Sequence, residues 1–333
     1  MSSLAGKTIL FESVYLSHFA SVAGPIENQG PLHEGFDWTY DDLYAGEKTF
    51  EKAERAMQSQ AQDLCLKKAK LLKDDLFCVI GGDLENQLVA SSFSARHLEC
   101  PFIGVYAACA TSALGLGLAG LVVEAVEQPV MVSISSHNAT AERQYRYPVE
   151  YGIQKKPTCT YTATGAASFL LSHQKASIRL VGCTLGRIID YGLKDANDMG
   201  SAMAPAAYDT IKRHLASRQQ TCQDYDLIVT GDLSGFGAKM LKSLFQADDI
   251  DLSPYQDCGL MLYDVAHQKV YQGGSGAACS ALVLASHLLP QLLSGQIKHL
   301  LYVPTGALLS KTSTAQKETI PCIAHAIEWE VCQ

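Results

Sequence analysis

One cysteine stands where the chain could do chemistry. Cys109 lies in the stretch Val105-Tyr106-Ala107-Ala108-Cys109-Ala110-Thr111-Ser112-Ala113-Leu114. Pro101 to Val105 reads as a short buried strand. Ala110 to Val126 reads as a helix with small and apolar residues on every face and no charge before Glu124. A helix that is apolar all round is buried all round. The pattern therefore predicts a strand-to-helix turn with Cys109 at the N-terminus of a central helix. Unpaired backbone N–H groups there lower a thiol's pKa and favour a thiolate or a bound anion. The plainer reading of a cysteine is a small buried hydrophobe. A second stretch, Gly276-Ala277-Ala278-Cys279-Ser280-Ala281-Leu282, opens another apolar helix running to about Leu293 and echoes the first. Asp83 and Asp232 sit in matching Gly-Asp-Leu segments at strand ends. Such carboxylates cap the following helix or contribute to a calcium site. No EF-hand loop and no zinc spacing occurs, so no preformed metal site is expected.

The elements that must position these residues follow from periodicity. Lys7 to Phe11 reads as a first strand, and residues 12–46, rich in Gly, Pro, Asn and Asp, as a long irregular segment of the functional or contact-making kind. Glu47 to Leu72 is an amphipathic helix. Leu76 to Ile80 is a strand, Gln87 to His97 a short helix and Val130 to Ser135 a strand leading into Ser136-His137-Asn138. A polar excursion occupies 141–160, and Thr160 to Leu171 is a further strand. The second half repeats the pattern. Strands are expected at Ile178 to Thr184, Leu227 to Thr230, His299 to Pro304 and Ile320 to Glu330. Helices are expected at Met203 to Leu215, begun near Pro205, and at Lys239 to Phe245. Two β-α-β-α-β copies, each with a buried helix after its third strand, predict a duplicated α/β body with its apolar helices sandwiched between two sheets. The seam is placed near residue 175, giving halves 1–175 and 176–333.

Composition narrows the class. The chain has 333 residues, 47% hydrophobic and 18% charged, which suits a packed globular body rather than disorder. A net charge of −8 argues against nucleic acid and gives no long-range steering of an anion, so any anion site must be local. Eleven cysteines, an odd count without CxxC pairs, and no signal peptide point to free thiols in reducing cytoplasm. No apolar run is expected to span a membrane; Leu114 to Val126 is short and broken by glycines.

The duplicated pattern resembles the thiolase fold, layered α-β-α-β-α, and VYAACATSALGLGLAG resembles the nucleophile turn of the chain-initiating ketoacyl-ACP synthases. Those enzymes also carry a histidine after the second strand of the C-terminal half and an asparagine opening the second buried helix. Here the first place reads Val229-Thr230-Gly231-Asp232-Leu233-Ser234, and Gly274 stands at the second. Decarboxylating condensation needs donors that stabilise an enolate, and both are missing. A more specific resemblance covers the whole chain. The segments GGDLENQ, SSHNATAERQYRYPVEYG, NDMGSAMAPAAYDTIK, TGDLSG, GGSGAACSA, TGALLS and QKETIPCIAH resemble, in this order, the stage V sporulation protein AD family of spore-forming bacteria.

That resemblance implies a non-condensing protein that binds dipicolinic acid (pyridine-2,6-dicarboxylate) and helps move it, with calcium, into the developing spore. It implies membrane subunits of the same operon as partners and a peripheral place at the inner spore membrane after cytoplasmic synthesis. It also implies a homodimer paired edge to edge. A flat aromatic dianion needs N–H groups or cations at both carboxylates and a thin apolar slot. The candidate ligand-binding residues are Cys109, Ala110, His137, Asn138, Arg143, Asp232, Gly274, Ser275, Lys311 and His325, with Cys109 a vestigial nucleophile and Gly274 leaving room an asparagine would fill. Arg146 is a weaker candidate beside Arg143. No cofactor is expected, and whether calcium binds with the ligand is left open. Two other classes stand beside this one. One is an acyltransferase or thioesterase using Cys109 with His137 or His325 as base. The other is a purely structural membrane-complex subunit contacting partners through 12–46 and 141–160.

Overall fold

The computed structural model describes residues 2–146 and 154–332, and the side chain of Arg146 falls outside the description. From one edge, the strands run Phe102–Gly104, Cys78–Gly82, Val130–Ser136, Gly165–Ser172 and Tyr15–Ala23. They continue with Ile178–Thr184, Ala326–Val331, His299–Ala307, Leu227–Gly231 and Tyr255–Asp257. Numbered along the chain within each half, the order is third, second, fourth, fifth, first, mirrored about the centre. In both halves the fifth strand runs antiparallel to its neighbours while the second pairs in parallel with the third and fourth. The two central strands meet through a short ladder, Leu16 with Ile178 and Tyr15 with Arg179. A further short strand, Thr8–Leu10, pairs with Gly182–Thr184 beside it. Packing, more than this ladder, must join the halves.

Two central helices supply that packing, as their lack of a polar face requires. Thr111–Val123 packs on Cys78–Gly82 and Val130–Ser136 of one half, and on His299–Ala307 and Ala326–Val331 of the other. Its small residues permit the approach: a Cβ at Gly117 would lie 2.4 Å from the Cys183 Sγ. The second helix begins at Ala277–Val283 and continues through a wide turn at Leu284–Leu288 into Leu289–Ser294. Contrary to expectation, this stretch is long and apolar enough to cross a bilayer, with mean hydropathy 1.4 over Ala277–Ser294, yet 72% of it is buried inside the body. Phe50–Ala69 and Val89–Ala95 cover the outer face of one half-sheet, and Met199–Arg218 and Ser234–Ala247 that of the other. The layers are therefore α-β-α-β-α.

Four local readings are corrected. The counterpart of Ile178–Thr184 is Tyr15–Ala23, inside the segment read as irregular, whereas residues near Lys7 form a small hairpin, Ser3–Ala5 with Thr8–Leu10. Ser17, His18 and Ser21 and a bulge between Leu16 and His18 hid its alternation. The strand before Cys109 lies exposed at the sheet edge, not buried, because no described strand pairs beyond it. The 199–218 helix starts well before Pro205, with the Asp198 carboxylate accepting the Ser201 amide at 3.2 Å as N-cap; Pro205 lies buried inside. Ser234–Ala247 likewise starts earlier than Lys239.

Candidate functional site

Cys109 sits where a left-handed residue turns the edge strand into the central helix. Ala108 has φ 49°, an unfavourable conformation for a residue with a Cβ. Thr111 holds the turn: its hydroxyl accepts the Ala107 amide at 3.0 Å and donates to the Ala108 carbonyl at 2.5 Å. The N-terminus of the second central helix arrives opposite, and the Gly276 amide donates to Cys109 Sγ at 3.3 Å. The two helix N-termini thus converge, and several of their donors are used internally. The Ala110 amide donates to the Ala107 carbonyl at 3.0 Å and the Ala278 amide to Ser136 Oγ at 3.1 Å.

The space beside Cys109 is small. Its cavity of about 30 Å³ is walled by Tyr106, Cys109, Tyr145, Met199, Ser275 and Leu309, among others. That volume suits a water or two rather than an aromatic diacid. No described lining residue carries an imidazole, carboxylate or amine.

Outside it lies a polar cleft of about 490 Å³ bounded by Glu51, Glu85, Arg143, Gln144, Tyr145 and Lys311, among others. A side lobe of about 380 Å³ is walled by Tyr106, Tyr145 and Leu309, residues that also line the inner cavity. Arg143 is ion-paired to Glu51. Lys311 opens the short helix Lys311–Ala315, capped by Ser310, whose Oγ accepts the Ser313 amide at 3.1 Å. Burial, and then the nearby Asp83 and Glu51 charges, push Glu85 up to about 8, so it carries a proton near neutral pH. With Glu85 neutral and Glu51 matched by Arg143, Lys311 leaves these four charged groups with a net positive balance suited to an anion.

The other sequence candidates lie elsewhere. His137 is buried and caps the helical turn after it: Nδ1 accepts the Ala139 amide at 3.1 Å and Nε2 donates to the Leu43 carbonyl at 2.8 Å. Burial lowers it to about 4, leaving it neutral. The Asn138 side chain donates to the Thr162 carbonyl at 3.3 Å. His325 Nδ1 accepts the Gly186 amide at 3.0 Å, and burial lowers its pKa to about 4. Asp232 is fully buried, and burial followed by Asp257 holds its carboxyl well above the usual range. Gly274 is packed solid by Tyr263 and Cys279, so the room expected at that position does not exist. Ser275 lines the inner cavity and its hydroxyl accepts from Thr160 at 2.8 Å. Asp83 is a cap, accepting the Glu85 and Ser91 amides at 2.7 Å each.

Of the candidates, the structure gathers Cys109 and Ser275 at the inner cavity and Arg143 and Lys311 at the cleft. Sequence reasoning passed over Tyr106, Tyr145, Glu85 and Leu309. Tyr106 stood three residues before Cys109 and could have been noticed; the others carry no local signal.

The family model described as stage V sporulation protein AD matches residues 5–330. The stage V sporulation protein AD of Bacillus subtilis (strain 168) is 44% identical over 331 residues, 98% of each chain. Among solved structures, a point variant of Xanthomonas campestris OleA bound with cerulenin superimposes with a TM-score of 0.63 at 14% identity, covering 96% of this chain and 97% of that one. The 3-oxoacyl-[acyl-carrier-protein] synthase III of Aquifex aeolicus VF5 gives 0.55 at 12% identity over 99% and 100%. These likenesses establish the thiolase-like fold.

Proposed function

The chain belongs to the stage V sporulation protein AD family, and on that premise we propose that it binds dipicolinate and supports its uptake into the developing spore without catalysing a reaction. The observation that carries this reading is the division of chemistry between the two spaces. The Cys109 cavity holds about 30 Å³, too little for an aromatic diacid, while the roomier polar cleft beyond it presents Arg143 and Lys311 beside Tyr145, with Tyr106 on its side lobe. Lys311 supplies a point charge for one carboxylate, and the Arg143 fork takes the second by exchanging its Glu51 partner for it. Tyr106 and Tyr145 offer the flat surface that a pyridine ring needs. The ligand is therefore assigned to the cleft mouth rather than to the helix N-termini.

Calorimetric titration tests it. Wild-type protein is expected to bind dipicolinate saturably, with or without calcium. Lys311→Ala should weaken binding about 10- to 100-fold, the range for one charge-assisted contact. Equal affinity in Lys311→Ala would remove the ligand from this cleft. The retained thiol, held 3.3 Å from the Gly276 amide, favours one competing reading, an acyltransferase. A stoichiometric acyl adduct on Cys109 after incubation with acetyl-CoA would establish that instead.

We further propose a homodimer through the free sheet edge, acting with membrane subunits at the inner spore membrane. Phe93, Phe102 and Ile103 are 45%, 38% and 39% exposed there, beside a strand backbone that no described strand pairs. An apolar open edge in water invites pairing. Ile103→Lys should convert the dimer to monomer in light scattering at micromolar concentration. A dimer that persists unchanged would place the contact elsewhere.

A further inference from the structure

The inner cavity and the side lobe of the cleft share three walls, Tyr106, Tyr145 and Leu309, and Tyr145 also lines the cleft itself. The two phenols meet there, with 3.2 Å between their oxygens. The Tyr145 hydroxyl also donates to the Leu84 carbonyl at 2.6 Å. Leu84 and Tyr106 belong to different loops, one after Cys78–Gly82 and the other before Cys109, and Tyr145 comes from the turn Glu142–Arg146. The hydroxyl network therefore ties three separate segments across the boundary between the two spaces. On its far side, Cys109 is only 6% exposed.

We propose that Tyr106 and Tyr145 form a hydroxyl-latched partition that seals Cys109 from the cleft, so that the cleft takes its aromatic diacid against the tyrosine wall without touching the thiol. The sealing depends only on the geometry of the phenols. The ligand's position outside the seal rests on the dipicolinate reading. Burial holds both phenols protonated, Tyr145 the more strongly, so each keeps the proton it needs to donate. The Tyr145 hydroxyl reaches the Leu84 carbonyl, and the Tyr106 hydroxyl can then donate to Tyr145.

The two parts are tested separately. Alkylation of Cys109 by iodoacetamide, followed by mass spectrometry of the native protein, reads the seal. Tyr145→Phe keeps the ring but removes the bonds to Leu84 and Tyr106. It should raise the Cys109 rate about tenfold, the effect expected for the loss of one or two hydrogen bonds holding a local opening shut. Tyr145→Ala should raise it further. The fully buried Cys65 serves as control, and its rate should not change. Wild-type Cys109 labelled as fast as an exposed thiol, or rates unchanged in both variants, would overturn the partition. A parallel rise at Cys65 would mean general loosening and would overturn it equally. For the ligand's place, Cys109→Ala should bind dipicolinate within about twofold of wild type. A large loss would put the ligand inside the seal and end that half of the proposal. No dipicolinate binding in wild type would sink the functional reading while the alkylation result still decides the seal.

Discussion

Replacing Gly274 by asparagine, the residue that condensing relatives of this fold are expected to carry there, should destabilise the protein by roughly 3 kcal/mol and return no condensing activity. A Cβ on Gly274 would lie 2.7 Å from Tyr263 Cε2, 2.9 Å from Cys279 Sγ and 3.0 Å from Tyr263 Cδ2. Neither neighbour is the loose end of a flexible chain. Tyr263 is a fully buried ring whose hydroxyl is bonded to Glu27, and Cys279 lies inside the second central helix. The Gly274 carbonyl also accepts the Ser234 hydroxyl at 2.8 Å, which ties it to the next helix. An added side chain must push the ring, the helix or both in an interior with little free volume. Denaturant unfolding of Gly274→Asn and of the smaller Gly274→Ala should show graded losses. The segment where the histidine is missing is no more open, since Asp232 stands there fully buried, its carboxyl held well above the usual range by burial. An asparagine variant as stable as wild type would show that Tyr263 and Cys279 yield to a side chain at position 274, and one that decarboxylates malonyl substrates would show that the missing histidine is dispensable.

The crowding around Gly274 shows what the chain's own letters could convey. The sequence signals a missing asparagine; it does not signal that Tyr263, eleven residues earlier, fills the space. The central helices were legible because a helix apolar on every side has one place to go. The Cys109 turn was legible for the same reason, since a small-residue run after a strand leaves few alternatives. Tyr15–Ala23 was not, because its polar residues and bulge break the period of two on which strand reading depends. The cleft was the least legible part. It assembles Glu85, Arg143, Tyr145 and Lys311 from segments far apart in the chain, and only tertiary contact makes them one site. His137 and His325 drew attention as histidines near strand ends, yet backbone partners that no sequence pattern announces hold their rings in place.

The same tyrosine that blocks position 274 links the site to an unusual pH response. Glu27 is fully buried; its Oε1 accepts the Tyr263 hydroxyl and, at 3.0 Å, the Thr164 amide. Burial outweighs these hydrogen bonds and pushes its carboxyl up to about 7 from 4.5. Between those two values the unfolded chain releases this proton while the folded chain keeps it. Folding then takes up a proton, so stability is highest near and below pH 4.5 with respect to this group and declines as pH rises to about 7. At about 1.4 kcal/mol per pKa unit, Glu27 alone accounts for a loss of roughly 3 kcal/mol across that window. Asp257, raised to about 6 by burial, and Glu85, raised to about 8, tilt the curve the same way. These three carboxyls are expected to cost stability from about pH 5 to about pH 8, while His137 and His325, lowered to about 4, work the opposite way below about pH 6.5. Glu27→Gln keeps an acceptor for Tyr263 and has no proton to lose. Its unfolding free energy, measured in guanidinium at intervals across that range, should fall less steeply than that of wild type, with the difference concentrated below about pH 7. Parallel curves would mean that Glu27 is already ionised in the folded protein, and that Tyr263 donates to a carboxylate rather than to an acid.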